Sequence, residues 1–165
     1  MAVALIYNVV MKKKETIRAV LTVLIVLTLI FIFGNSMYSK EESSALSLYV
    51  KELVRPILEV FVGKGNVTEH LVRKLAHFTE FFALGAEFSF LLINEKKIGI
   101  AGVSLILLAG LVSALSDETI QLFFERGSSV KDVWLDFGGY CTAVALILLI
   151  FSADSRLRNI REYRP

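Results

Sequence analysis

The side chains able to do chemistry are gathered in three tracts, "RKLAHFTEFFALGAEF" from Arg73, "SALSDETIQ" from Ser113 and "VKDVWLDFGG" from Val130, each continued by an apolar run. At 100° per residue Arg73, His77, Glu80 and Glu87 share an arc of roughly 80°. Gly110, Ser113, Asp117 and Gln121 align in the same way, with Glu118 turned about 100° away. Asp132, Asp136, Gly139 and Ala143 form a third line. Three chemistries fit these residue types. Arg73, Lys74 and Arg126 suit a phosphate or carboxylate, with Asp117, Gln121 and Asp132 accepting hydrogen bonds from hydroxyls or amines. His77, Glu80 and Asp117 are the candidate catalytic groups, His77 as a base oriented by Glu80. Alternatively His77 and Glu80, at i, i+3, reach a metal completed by Asp117, Asp132 or Asp136. Neither H-E-x-x-H nor G-x-S-x-G occurs, so no metal or cofactor is assigned at this point.

The elements that carry these groups belong in a bilayer. With 55% hydrophobic residues the chain is too apolar for an ordinary soluble globule, and its apolar residues come in blocks. Ile17 to Phe33 carries only Arg18, at its very start, and Ile98 to Ser116 contains no charge; both approach the roughly 20 residues that a bilayer requires. Leu71 to Ile93 and Val130 to Phe151 are as long but open on ionisable residues. The expected fold is an all-α membrane protein forming a single domain over 1–165, with spans at about 16–34, 71–93, 98–123 and 130–151. A charge at the bilayer centre costs about 2.5 to 3.5 kcal/mol on insertion scales, so the polar faces must turn inward. Glu87, deeper in its span, is expected to act as a relay or as a neutral interhelical hydrogen-bond donor.

The single Cys141 excludes a disulfide framework or a cysteine metal cluster, and a net charge of +2 with bases at span ends fits topology better than nucleic-acid binding. Lys12, Lys13, Lys14, Arg18, Lys96, Lys97 and the Arg156, Arg158, Arg161 and Arg164 tail mark one side as cytoplasmic, with both termini there. The loop bases Lys40, Lys51, Arg55 and Lys64 oppose this and are interleaved with acids. "MKKKETIR" from Met11 reads as a natural start, and the first span as an uncleaved anchor.

Between the first two spans, Leu46, Val50, Leu53, Ile57, Leu58 and Phe61 recur at helical spacing opposite Lys51, Glu52, Arg55 and Glu59. This predicts an amphipathic extracytoplasmic helix, lying in the interface or capping the bundle, interrupted or kinked by Pro56 and ended by Gly63 and Gly65. His70 falls in a loop or at a helix start. Trp134 is placed as an interfacial anchor, and the "NVT" sequon at Asn66 as chance.

Depth brings the polar faces together, because the second span begins on the side where the third ends and the fourth begins. The short "ERGSSVK" connection holds Arg126 over them, and Gly110, Gly138, Gly139 and Ala143 let backbones approach.

"RKLAHFTEFFALG" followed by "SDETIQLFFERGSSVKDVWLDFGG" resembles the VanZ-like family of small bacterial membrane proteins. The resemblance implies site positions at Arg73, His77 and Glu80, at Asp117, Glu118 and Gln121, at Arg126 in the turn, and at Asp132 and Asp136. "FGNSMYSKEESSALS" is similar to that family's Ser-rich exit from the first span. Two departures stand out: Arg126 precedes Gly127 rather than following it, and "HFTEFF" has Phe where Tyr is common. The resemblance implies a cell-envelope protein of the bacterial cytoplasmic membrane, with some members linked to teicoplanin-type glycopeptide resistance. The expected partners are membrane lipids and a cell-wall lipid intermediate or glycopeptide-related ligand, with no nucleic acid. An intramembrane hydrolase or transferase, a small carrier, and a packing scaffold are the alternatives.

Overall fold

The computed structural model describes residues 2–124 and 127–162, with side chains at position 9 and over 11–39, 41–124 and 127–155. Five helices follow one another: α1 (Ala2–Ser36), α2 (Lys40–Val62), α3 (Glu69–Asn94), α4 (Ile100–Phe123) and α5 (Val130–Glu162). Four of them are long and apolar enough to cross a membrane, over Met11–Ser36, Glu69–Asn94, Ile100–Phe123 and Val130–Ser155. The protein is therefore an all-α, multi-pass membrane bundle. His70 is the second residue of α3, at a helix start as expected.

Local chemistry sets the helix ends. Ser39 caps α2 in a reciprocal box, accepting from the Glu42 amide while Glu42 Oε2 accepts from the Ser39 N–H at 2.9 Å. Thr68 caps α3 by accepting from the Leu71 amide at 3.1 Å. Gly63, at φ +86°, takes a conformation that L side chains rarely adopt, and Asn66 Nδ2 donates to the Val62 carbonyl at 2.7 Å, so the sequon asparagine closes the end of α2. Of the interruption or kink expected at Pro56, the interruption does not occur, and α2 runs unbroken from Lys40 to Val62. Proline there removes one amide donor, but the helix is fastened beyond it on both sides.

The amphipathic helix also packs differently from a simple apolar-face-down arrangement. Ser43 and Ser47 are buried against the bundle, whereas Leu53, Ile57 and Phe61 are exposed, Phe61 to 79%. The first half of α2 is docked by small polar residues, and the second half offers an apolar row to whatever surrounds the protein. Exposed apolar side chains cover the outer faces of the spans too, including Val23 and Ile30 on α1, Leu105 and Leu108 on α4, and Leu149 and Ile150 on α5. In a bilayer these contact lipid. Trp134 is exposed near the start of α5, as an interfacial anchor requires.

The core is built around α3, which contacts every other helix. Its most extensive contact is with α5, not with its sequence neighbours. Glycine makes that contact possible. A methyl group at Gly85 would come 2.5 Å from the Tyr140 carbonyl oxygen, and one at Gly139 would run into the Phe78 carbonyl. Gly110 has a different task, because a Cβ there would meet the Tyr140 ring at 2.5 Å. Tyr140 thus lays its backbone on α3 and its ring on α4, and its hydroxyl donates to the Ile106 carbonyl at 2.7 Å. Gly138, expected to share in close approach, meets nothing within 4 Å, whereas Gly85 was not anticipated. Around this point pack Ile25, Ile32, Phe81, Leu84, Ala114, Val133 and Val144.

At the end of the bundle away from α2, Lys14 pairs with Glu95 at 3.2 Å and Asn94 Nδ2 donates to the Lys14 carbonyl at 3.3 Å. These contacts fasten α1 to the α3–α4 turn, and Lys14 draws the Glu95 carboxyl below its ordinary range.

Two outcomes follow. Gly85→Ala and Gly139→Ala should each destabilise the protein by about 1 to 3 kcal/mol through overpacking, while Gly138→Ala leaves thermal unfolding in detergent nearly unchanged. The Ser39 amide, and then its hydroxyl, hold the Glu42 carboxyl below the usual carboxylate range. The box is therefore intact above the unfolded value and is lost as pH falls through the lowered one. Helical NMR shifts of residues 40–44 should weaken together with the Glu42 carboxyl titration, and Glu42→Gln should abolish that coupling.

Candidate functional site

At the other end of the bundle, all four spans contribute polar groups. Asp117 on α4 is fully buried. Its Oδ1 accepts from Ser36 Oγ on α1 at 2.5 Å, and its Oδ2 accepts from Gln121 Nε2, one turn along α4, at 2.8 Å. His77 on α3 places Nδ1 3.7 Å from Asp117 Oδ2 and 3.9 Å from Asp136 Oδ1 on α5. Asp136 is 1% exposed, and neither carboxylate oxygen has a hydrogen-bond partner.

The remaining expected residues surround this centre. Lys74 forms an ion pair and hydrogen bond with Asp132, joining α3 to α5. Glu118, although offset around α4, is buried and accepts from the Ser129 amide at 2.9 Å, because the α4–α5 connection folds back over that flank. Arg73 lies 3.7 Å from Glu69, one turn earlier on its own helix, beyond hydrogen-bonding distance. The ion pair of Arg73 is thus a local one, within α3. Arg126 lies outside the described residues. Ser113 does not join the cluster, since its hydroxyl donates to the Ala109 carbonyl of its own helix at 2.9 Å.

Glu80 takes a different direction from the carboxylates of α4 and α5. Its Oε1 accepts from Asn35 Nδ2 on α1 at 3.1 Å. Two turns further along, Glu87 Oε1 and Thr28 Oγ1 are hydrogen-bonded at 2.8 Å, the interhelical contact expected of Glu87. The polar arc of α3 is thereby divided: Glu80 and Glu87 lace α3 to α1, while His77 faces α4 and α5. Among the described residues, the group of three that can converge on one cation is His77, Asp117 and Asp136, without Glu80.

Two cavities meet at His77 and Arg73. The first, about 30 Å³, is polar and is bounded by Lys74, Glu118, Gln121, Asp132 and Asp136 together with those two residues. That is room for about two waters. The second is a groove of about 490 Å³ between α1, α2 and α3. Phe31, Leu46, Val50 and Val72 form its apolar lining, and Asn35, Ser47 and Glu80 its polar points.

Asn35 and Ser36 were not singled out from the sequence, although both stand in "FGNSMYS". A polar Asn-Ser pair ending an uncharged span was the available signal, since a hydroxyl and an amide leaving hydrocarbon need partners. Ser36→Ala should cost about 1.5 to 3 kcal/mol, the range for a hydrogen bond to a charged group, whereas Ser113→Ala should change unfolding by less than about 0.5 kcal/mol. Chemical or thermal unfolding of the two variants in one detergent checks the difference.

A family model described as VanZ/LLP1 matches residues 19–151, which takes in the three polar faces, the polar end of α1 and both cavities. Neither the curated proteins nor the solved structures contain a match. Because that single model runs from the first turns of the α1 span to the apolar end of α5, the chain belongs to the VanZ/LLP1 family of membrane proteins.

Proposed function

We propose that the protein binds an envelope lipid with a phosphorylated headgroup, taking the chain into the groove between α1, α2 and α3 and the headgroup toward the polar cavity. The observation that carries this reading is the junction itself. Arg73 and His77 border both the apolar groove and the polar cavity, so one ligand can occupy both. A groove of about 490 Å³ is within the ordinary range for a small-molecule site. Arg73 and Lys74 offer donors to phosphate oxygens, and both are tied only to acids they can exchange for a ligand anion. Glu118, Gln121 and Asp132 supply acceptors for sugar hydroxyls or amines.

The orientation that fits is extracytoplasmic for this end. Lys14, Lys96 and Lys97 lie at the opposite end, and short basic flanks of this kind stay in the cytoplasm. The exposed apolar row of α2 then rests in the outer interface beside the groove. In a bacterial cytoplasmic membrane this arrangement has access to cell-wall lipid intermediates, and altered teicoplanin susceptibility is the phenotype it would produce.

Lipids extracted from protein purified in mild detergent and identified by mass spectrometry test the reading. Wild type should retain a phosphate-bearing envelope lipid. Ser47→Trp, which fills the groove, and Arg73→Ala, which removes the anion donor, should each lower retention about tenfold or more, while Leu149→Trp on the outer face of α5 should not. Equal retention by all four proteins would overturn the proposal. In a teicoplanin-sensitive bacterium at matched membrane levels, wild type should protect and the Arg73→Ala and Ser47→Trp variants should not.

A further inference from the structure

Asp136 poses a problem that headgroup binding does not solve. It is 1% exposed, both its carboxylate oxygens lack hydrogen-bond partners, and a second buried carboxylate, Asp117, belongs to the same cluster. His77 Nδ1 is 3.9 Å from Asp136 Oδ1, beyond hydrogen-bonding distance; a buried carboxylate without a donor is costly, and a second acid beside it raises that cost. Elsewhere in the bundle, each buried acid of the described spans accepts a hydrogen bond: Glu118 from Ser129, Asp117 from Ser36 and Gln121, and half-buried Glu87 from Thr28. Asp136 is the exception, and it borders a water-sized cavity.

We infer that His77, Asp117 and Asp136 form a binding site for one first-row divalent cation, of which Zn²⁺ and Mn²⁺ suit the donor set. One ligand atom from each residue lies within 4.8 Å of the others. The two measured separations from His77 Nδ1 are 3.7 and 3.9 Å. Ligands about 2.0 to 2.2 Å from a metal sit roughly 3.0 to 3.6 Å apart, so the two separations from His77 need to shorten by a few tenths of an ångström, and the two carboxylates, which lie within 4.8 Å of each other, must draw together into the same range. An imidazole nitrogen with two carboxylates favours such a cation over Mg²⁺ or Ca²⁺, which prefer all-oxygen shells.

The surroundings are those of a ligating set. Asp117 is oriented by Ser36 and Gln121, the outer support that metal-bound carboxylates usually receive. The adjoining cavity of about 30 Å³ leaves space for about two waters, or one anionic oxygen, in the open coordination positions. Three helices supply one ligand each, so the cation would join α3, α4 and α5 at one point. The site stands whether or not a lipid occupies the groove.

The test uses full-length protein in detergent, stripped with a chelator and re-supplied with Zn²⁺ or Mn²⁺. Wild type should take up about one equivalent and unfold at a higher temperature with metal than without. Ser36→Ala should weaken uptake about 10- to 100-fold. Asp136→Asn and His77→Ala should lose it, and Glu87→Gln should keep it. A route independent of variant folding is pulsed EPR of the Cu²⁺-loaded wild type, expected to show nitrogen modulation from one imidazole that persists in His70→Ala. Uptake far below one equivalent for both ions would overturn the inference. So would uptake unaffected by Asp136→Asn, or a bound ion without imidazole coupling. An Asp136→Asn protein more stable than wild type, with metal affecting neither, would identify Asp136 as a buried neutral acid instead.

Discussion

A carboxylate inside a membrane bundle can persist only where donors or cations reach it, and Asp117 is where the bundle meets that demand most completely. Ser36 from α1, Gln121 from α4 and His77 from α3 all approach the same side chain, and Asp136 from α5 lies 3.9 Å from the same His77 nitrogen. Every span is therefore committed at one level of the membrane. The glycine contacts belong to the same constraint, because His77 and Asp136 can face each other only if α3 and α5 are nearly in backbone contact, and Gly139 against Phe78 brings them there one turn beyond the site. Tyr140 fixes the third side by filling the space above Gly110.

The bundle is polar and apolar by position as well as by face. Along α1 and α3, Asn35 with Glu80 and Thr28 with Glu87 form two cross-links two turns apart on antiparallel helices. Beyond them the interior becomes hydrocarbon, around Ile25, Leu84, Leu92 and Ile106. Among the described residues, ionisable groups other than those of the two cross-links gather at the end where α2 lies and at the opposite turn, where Lys14 meets Glu95. Between the polar end and lipid stands the α1–α2–α3 groove, whose lining changes from Phe31 and Val50 to Arg73 and His77. The amphiphile proposed above changes in the same way along its own length.

Much of this was legible because the relevant rules are local or one-dimensional. Span length and charge-free runs determined the four crossings, helical periodicity determined which side chains share a face, and the alternation of direction determined that His77, Asp117 and Asp136 meet at one depth. Pro56 does not interrupt α2, because propensity describes an isolated helix, whereas α2 is held at both ends by Ser39 and Asn66. Glu118 was assigned its place by angle on α4, but the connection to α5 folds over that flank and buries it.

What the chain alone established, then, is the membrane class, the family motifs and the list of polar residues that must face inward, because burial of charge is forbidden by composition and length without reference to any neighbour. Partnership is different. Which acid takes Ser36, why Asp132 binds Lys74, why Arg73 turns to Glu69, and why Asp136 is left without a donor depend on the rotation of each helix about its axis and on its distance from the next. Those quantities are settled by close packing, at Gly85, Gly110 and Gly139 against Tyr140 and Phe78. A hydrogen bond is decided by tenths of an ångström, and helical periodicity specifies direction but not separation.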